Sequence, residues 1–302
     1  MRRLHADVLL LLAAAIWGLA FVFQKSAMEH VSESVFIAAR GFVASAALAP
    51  LAWLEGRRPN VARIEGIVPI AVAGGVAFFI GALLQQIGLR TTSVGNTGFL
   101  TGLYVVITPF LMWALTRHAP SRLVWLAVAF SFVGTWLLGG GTLTGFNFGD
   151  LLVAICAVFW AGHMVIVGRS SILDRPIAFT AVQFAVVGTL GLLSALISEP
   201  LTFAGVAKGL SGAAGSIAYV GLLSSALTFT LLAVAMKHTP TSEAAIIVSL
   251  ESVFAALAGA WLLGERMSWI AGTGAAMILL ATLIVQLGVP PAKTAPVLKD
   301  PP

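Results

Sequence analysis

The residues able to do chemistry in this sequence are few, and they sit inside long apolar runs. A polar group in hydrocarbon is costly, so each one needs a partner or a function. Thr97, Thr101, Tyr104 and Thr108 are spaced four, three and four apart, which stacks them on one face of a helix. Gly98 and Gly102 beside them permit close approach of a neighbouring helix. That face is either a wall of a solute path or packing glue, with hydroxyls bonded to carbonyls one turn back. In the preceding run Phe79, Leu83 and Gln86 share a face, and Gln85 lies one residue away. Phe79 serves either as pocket wall or as core or lipid contact, and Gln86 belongs either to the pocket or to the headgroup region. Trp160 and His163 are three apart near the middle of a later run. Tryptophan prefers membrane interfaces, so a central Trp beside a His points to a polar cavity. The alternative is an indole satisfied by a neighbouring carbonyl. Trp17 occupies a comparable place in the first run, with the same two readings open.

Two charged residues complete the set. Glu251 is the one acid deep inside a run. It could carry a proton and couple transport to a proton gradient, or it could hydrogen-bond neutral and fix a break in its helix. Arg40 is read as lying near a helix end, where it snorkels to the headgroups or attracts a substrate carboxylate, with snorkelling the favoured reading. The run centres are otherwise read as free of Lys and Arg.

Other chemistries fit poorly. Gly209-Leu210-Ser211-Gly212 matches the string of a rhomboid-type serine protease, but no later run carries an internal histidine as base. There is no His-Glu-x-x-His and no Walker loop, and the 5 histidines are dispersed. No catalytic residue, metal or cofactor is therefore expected. A receptor or a purely structural bundle stays open as a different class.

The elements that must position these residues follow from composition. Of 302 residues, 59% are apolar and only 10% charged, against roughly 25% charged in soluble domains. The mean hydropathy is +1.00. The one cysteine, Cys156, excludes an intrachain disulfide. A helix needs about 20 apolar residues to span a bilayer. Ten such runs are present: 7–24, 35–54, 66–89, 96–116, 122–139, 150–168, 177–198, 212–236, 244–263 and 269–288. They are continuously apolar, unlike the alternating strands of a membrane barrel. Pro59-Asn60, Gly139-Gly140-Gly141 and Thr239-Pro240-Thr241 punctuate them. The fold expected is an all-α membrane protein of ten transmembrane helices, with residues 290–302 a disordered cytoplasmic tail.

The net charge of +5 does not form a basic face, so nucleic acid is not an expected partner; the partners are the lipid bilayer and a small-molecule substrate, with no obligate protein partner implied. Twelve basic residues, Arg2, Arg3, Arg57, Arg58, Arg63, Arg117, Arg122, Arg169, Arg175, Lys237, Lys293 and Lys299, fall on the side of both termini. Five, Lys25, Arg40, Arg90, Lys208 and Arg266, fall on the other. The positive-inside rule then places both termini in the cytoplasm of a multi-pass inner-membrane protein.

The chain also repeats itself. Asp7-(x9)-Trp17 recurs as Asp150-(x9)-Trp160, an offset of 143, and Ile107-Thr108-Pro109-Phe110 aligns with Leu250-Glu251-Ser252-Val253 at the same offset. Five helices per half reverse direction, so residues 1–143 and 144–289 are expected to be two inverted five-helix repeats. In such proteins the substrate site lies near the midplane between the halves.

Three stretches resemble a known family. AAAIWGLAFVFQKSA is similar to the first helix of EamA-type members of the drug/metabolite transporter superfamily. LLQQIGLRTTSVGNTGFLTGLYVVITPF resembles their third and fourth helices. TSEAAIIVSLESVFAALAGAWLLGERMSWIAGTGAAMILLA resembles their ninth and tenth, with the turn Leu263-Gly264-Glu265. The resemblance covers residues 6–288 and implies ten helices in two inverted EamA repeats, exporting small metabolites. Ser252 stands where the family usually has proline, and Thr116-Arg117-His118-Ala119 where the first repeat often has Gly-Glu.

The expectation is an exporter of small neutral or zwitterionic apolar metabolites, working by alternating access around a midplane cavity. Among relatives in the superfamily, exporters of aromatic and other neutral amino acids fit best. The rival is a broad, proton-coupled drug exporter that leans on Glu251.

Overall fold

The computed structural model describes residues 3–58, 62–92, 94–141, 147–262, 264 and 268–288. The expected tail 290–302, the turn residues Leu263 and Glu265, and the breaker Pro59-Asn60 lie outside them. The described residues contain helices and no strand. We number ten principal helices in chain order: α1 Arg3–Ala27, α2 Glu33–Glu55, α3 Ile64–Leu89, α4 in two segments Val94–Thr101 and Tyr104–Thr116, and α5 Arg122–Leu138. In the second half are α6 Phe148–Ser170, α7 Pro176–Ser198, α8 Ala214–Ala235, α9 in two segments Thr241–Val248 and Glu251–Leu262, and α10 Trp269–Gly288. A short helix, Phe203–Gly212, leads into α8.

Among the described residues nine of the ten are long and apolar enough to cross a bilayer. The shortest, α5, has 17 residues, about 25 Å at 1.5 Å per residue. Large apolar side chains such as Trp261, Trp269, Phe203 and Leu196 are exposed around the outside. A lipid bilayer covers such a surface without cost. The helix ends follow local chemistry. Ser32, Ser121 and Asn147 accept backbone N–H bonds at the starts of α2, α5 and α6. Gly140 and Gly141, with φ of +101° and +67°, turn the chain after α5.

The helix contacts repeat under exchange of the halves. α2 packs on α7, α4 on α9 and α5 on α10, each pair made of equivalent helices lying on a pseudo-twofold axis. The remaining large contacts come in mates: α3 on α6 with α8 on α1, α3 on α7 with α8 on α2, and α4 on α6 with α9 on α1. Close approach on the axis needs glycine. A Cβ on Gly41 of α2 would sit 2.5 Å from the Gly188 nitrogen of α7, and one on Gly134 of α5 would sit 2.7 Å from the Gly274 oxygen of α10.

The repeat does not hold one offset throughout. α1 and α6 end 143 residues apart, as do α2 and α7, but α4/α9 and α5/α10 start 147 apart. The breaks in α4 and α9 therefore pair Tyr104 with Glu251, where the sequence alignment pairs Thr108 with Glu251. Four residues is close to one helical turn, so the faces are nearly preserved while the level changes. The nine-residue π-helical stretch Tyr219–Leu227 of α8 falls in the half with the longer spacing. There the Ser224 carbonyl accepts from the Thr228 hydroxyl at 2.6 Å.

Equivalent bonds tie the two ends. Thr239 donates to Asp7 at 2.9 Å, joining the start of α9 to α1; its mate Thr92 donates to Asp150 at 3.1 Å, joining the start of α4 to α6. At the first end Arg3 adds ion pairs to Glu243 (2.5 Å) and Asp7 (3.7 Å).

Candidate functional site

A cavity lies between the halves. Its wall is built by α1 (Trp17, Phe21, Gln24), α2 (Arg40), α3 (Gln85), α4 (Thr101, Tyr104), α6 (Trp160, His163, Met164), α8 (Ser224, Phe229, Leu232) and α9 (Val248, Glu251). Its volume is about 60 Å³. At the ~10–15 Å³ one water requires, that is room for a handful of waters or one small solute.

One side of the cavity is aromatic. Phe78, fully buried on α3, is the hub: its ring meets Trp160 at 4.9 Å, His163 at 5.7 Å, Phe184 at 4.9 Å and Phe229 at 5.1 Å, all edge to face. Trp17 leans on Phe229 at 4.8 Å. These separations lie in the range where aromatic quadrupoles attract. The rings thus hold one another in place, and those of Trp17, Trp160, His163 and Phe229 line the cavity.

The polar groups differ between the halves. Trp17 donates from Nε1 to the Ser224 carbonyl at 2.9 Å, a carbonyl of the π-helical stretch. Its repeat mate Trp160 faces regular α3, and its Nε1–H lies beside the Cys156 thiol without a completed hydrogen bond. His163 Nε2 lies 2.8 Å from Gln183 Oε1, which fixes the imidazole. Gln85 donates to Thr101 at 2.9 Å. The Tyr104 hydroxyl lies beside the Glu251 carboxyl without a completed hydrogen bond. Arg40 is 4% exposed and donates through Nε and Nη2 to Ser225 Oγ at 3.1 and 2.9 Å.

Of the residues picked out from the sequence, the structure brings Trp17, Thr101, Tyr104, Trp160, His163 and Glu251 to this cavity. It does not bring Phe79, Leu83, Gln86 or Thr108. Thr108 returns its hydroxyl to the Tyr104 carbonyl at 2.7 Å, the packing alternative. Gln86 is fully buried and turned to Met28 Sδ at 3.5 Å. Phe79 and Leu83 pack, half-buried, against the apolar core. The inward face of α3 runs through Phe78, Ala82 and Gln85, one residue earlier than expected. Gly74, Gly81 and Gly88, seven apart, mark that packed side and could have signalled it.

Arg40 is the larger correction. It does not snorkel: as the eighth residue of α2 it sits roughly 10 Å along the helix from its start, inside the protein. The interior of an apolar run therefore does hold a cation. Gln24 and Gln85, amides in apolar runs, are also wall residues that the patterning left unassigned.

The two halves match one family profile separately. The EamA-like transporter family matches residues 4–140 and again 147–287. An uncharacterized transporter of Archaeoglobus fulgidus is 31% identical over 294 residues, covering 95% of this chain and 88% of its own. The uncharacterized inner membrane transporter YedA of Escherichia coli is 24% identical over 300 residues, covering 94% and 93%. A crystal structure titled only as that of a protein superposes with a TM-score of 0.73 at 18% identity, over 95% of this chain and 98% of that one, which shows the shared fold.

Proposed function

We propose, from the premise that this chain belongs to the EamA-like transporter family, that it exports small neutral or zwitterionic apolar metabolites, with aromatic and other neutral amino acids as the best-fitting class. The chain is a multi-pass membrane transporter and not an enzyme. The observation that carries the finer reading is the cavity wall. It joins an aromatic cluster to an indole donor, an imidazole, three hydroxyls, a guanidinium and a carboxyl group, drawn from helices of both halves. A site made by both halves is opened to one side or the other when they rock against each other. In this reading residues 1–143 and 144–289 are the two moving repeats, both termini face the cytoplasm, and flux runs outward.

Glu251 in the wall favours one second reading, a proton-coupled exporter of cationic drugs. Uptake into proteoliposomes distinguishes the two, using labelled amino acids and cationic dyes with and without a pH gradient. Phenylalanine uptake that exceeds dye uptake supports the first reading. Dye uptake that requires the gradient, with no phenylalanine uptake, replaces it with the second.

A further inference from the structure

The cavity holds a cation with no anion on it. Among the described residues Arg40 forms no ion pair with an acidic side chain. Its partner is neutral: Ser225 accepts from Nε and Nη2. The guanidinium carbon lies 5.3 Å from the Phe78 ring centre and 6.0 Å from that of Phe36. Two rings and a hydroxyl hold the group in place and leave donors of its planar fork unused, since a guanidinium has five N–H. A buried charge needs a counter-charge, and a fork of parallel N–H groups matches a carboxylate better than any other small anion except phosphate.

The acid in the same wall comes from the other half. Arg40 is on α2 and Glu251 on α9, at the break beside Tyr104. The repeat mates are uncharged: the offset of 143 takes Arg40 to Gln183, and the offset of 147 takes Glu251 to Tyr104. The pseudo-symmetric cavity is thus polarised, with its positive pole in the first half and its negative pole in the second.

We propose that Arg40 is the carboxylate anchor of the substrate, that Glu251 faces its ammonium group, and that the substrate is consequently a zwitterion bridging the two halves. This rests on the reading of the cavity as the transport site and sharpens its substrate class. A ligand that engages one charge in each half binds best when the halves are closed on it. A bare amine or an amide lacks the group that Arg40 requires.

The test is competition against labelled phenylalanine in proteoliposomes, with unlabelled phenylalanine, phenylalaninamide, phenethylamine and 3-phenylpropanoate. In the wild type, removing the carboxylate raises the half-inhibitory concentration by about 10- to 100-fold, the scale of a charge-assisted hydrogen-bond pair. In Arg40→Gln the gap between phenylalanine and its amide closes to within about threefold, while Arg40→Lys keeps part of it because charge survives without the fork. Should Arg40→Gln not reach the membrane, the wild-type ranking alone decides. Phenylalaninamide competing as well as phenylalanine in the wild type overturns the anchor and leaves a transporter of amines. Absence of any phenylalanine flux overturns both the anchor and the amino acid reading.

Discussion

At the scale of the residue, the cavity separates ring contact from charge contact. If an aromatic solute stacks on Trp160, the indole adds roughly 0.5–1.5 kcal/mol beyond area burial. Trp160→Ala should then weaken phenylalanine transport at low substrate about 2- to 13-fold and alanine transport less, at matched protein level in the membrane. Equal losses for both would make the indole a part of the fold. Glu251→Gln keeps the shape of the break and removes the charge. In the zwitterion account it lowers phenylalanine flux at every pH and leaves the pH profile flat. A profile that is steep in the wild type and flattens in the variant would mark the acid as a proton carrier. Much of this site was legible from residue type and spacing: Trp160 with His163, and Tyr104 with Thr101, stand out as polar groups in apolar runs. Arg40 was not. Snorkelling and burial predict the same residue type at the same depth, and what decides between them is the neighbouring α8, which supplies Ser225 from a distant part of the chain.

At the scale of the element, apolar length was enough to count the helices, because hydrocarbon thickness is a one-dimensional constraint. A break at Glu251 in α9 was one of the readings open in the sequence, but the break in α4 and the π-helical stretch of α8 were not readable, since the hydrophobicity pattern runs through them unchanged. They matter most, because they set Tyr104 beside Glu251 and present the Ser224 carbonyl, which also accepts from the Thr228 hydroxyl at 2.6 Å, to Trp17. The bonds at the two ends give an element-scale prediction. Thr239→Val deletes the donor to Asp7 and leaves the mate bond of Thr92 to Asp150 intact. A hydrogen bond to a charged group contributes about 1.5–3 kcal/mol, so this end should open about ten times more often or better. In a Cys156→Ala background, maleimide labelling of Leu10→Cys, buried one turn below Asp7, reads it directly. Unchanged labelling would show that the bond does not hold this end closed. Gly134→Leu tests the axis contact of α5 with α10. No leucine fits 2.7 Å from a carbonyl oxygen, so the variant should lose most of its folded yield in membranes.

At the scale of the whole molecule, the account is two similar halves around one polarised cavity. The count of basic residues predicts that a protease site added after Pro302 is cut from the cytoplasmic side in inverted vesicles and resists protease in intact spheroplasts. Cutting in intact spheroplasts would reverse the topology. The central claim is that the solute passes through the cavity between the halves, and substrate protection tests it most directly. Met164 lines the cavity, and the chain has a single native cysteine, so Met164→Cys in Cys156→Ala carries one reactive thiol. The account predicts that a maleimide reaches this thiol from either face of the membrane, and that saturating phenylalanine slows labelling from both. A thiol open to one face alone, or one that phenylalanine does not protect, would contradict it.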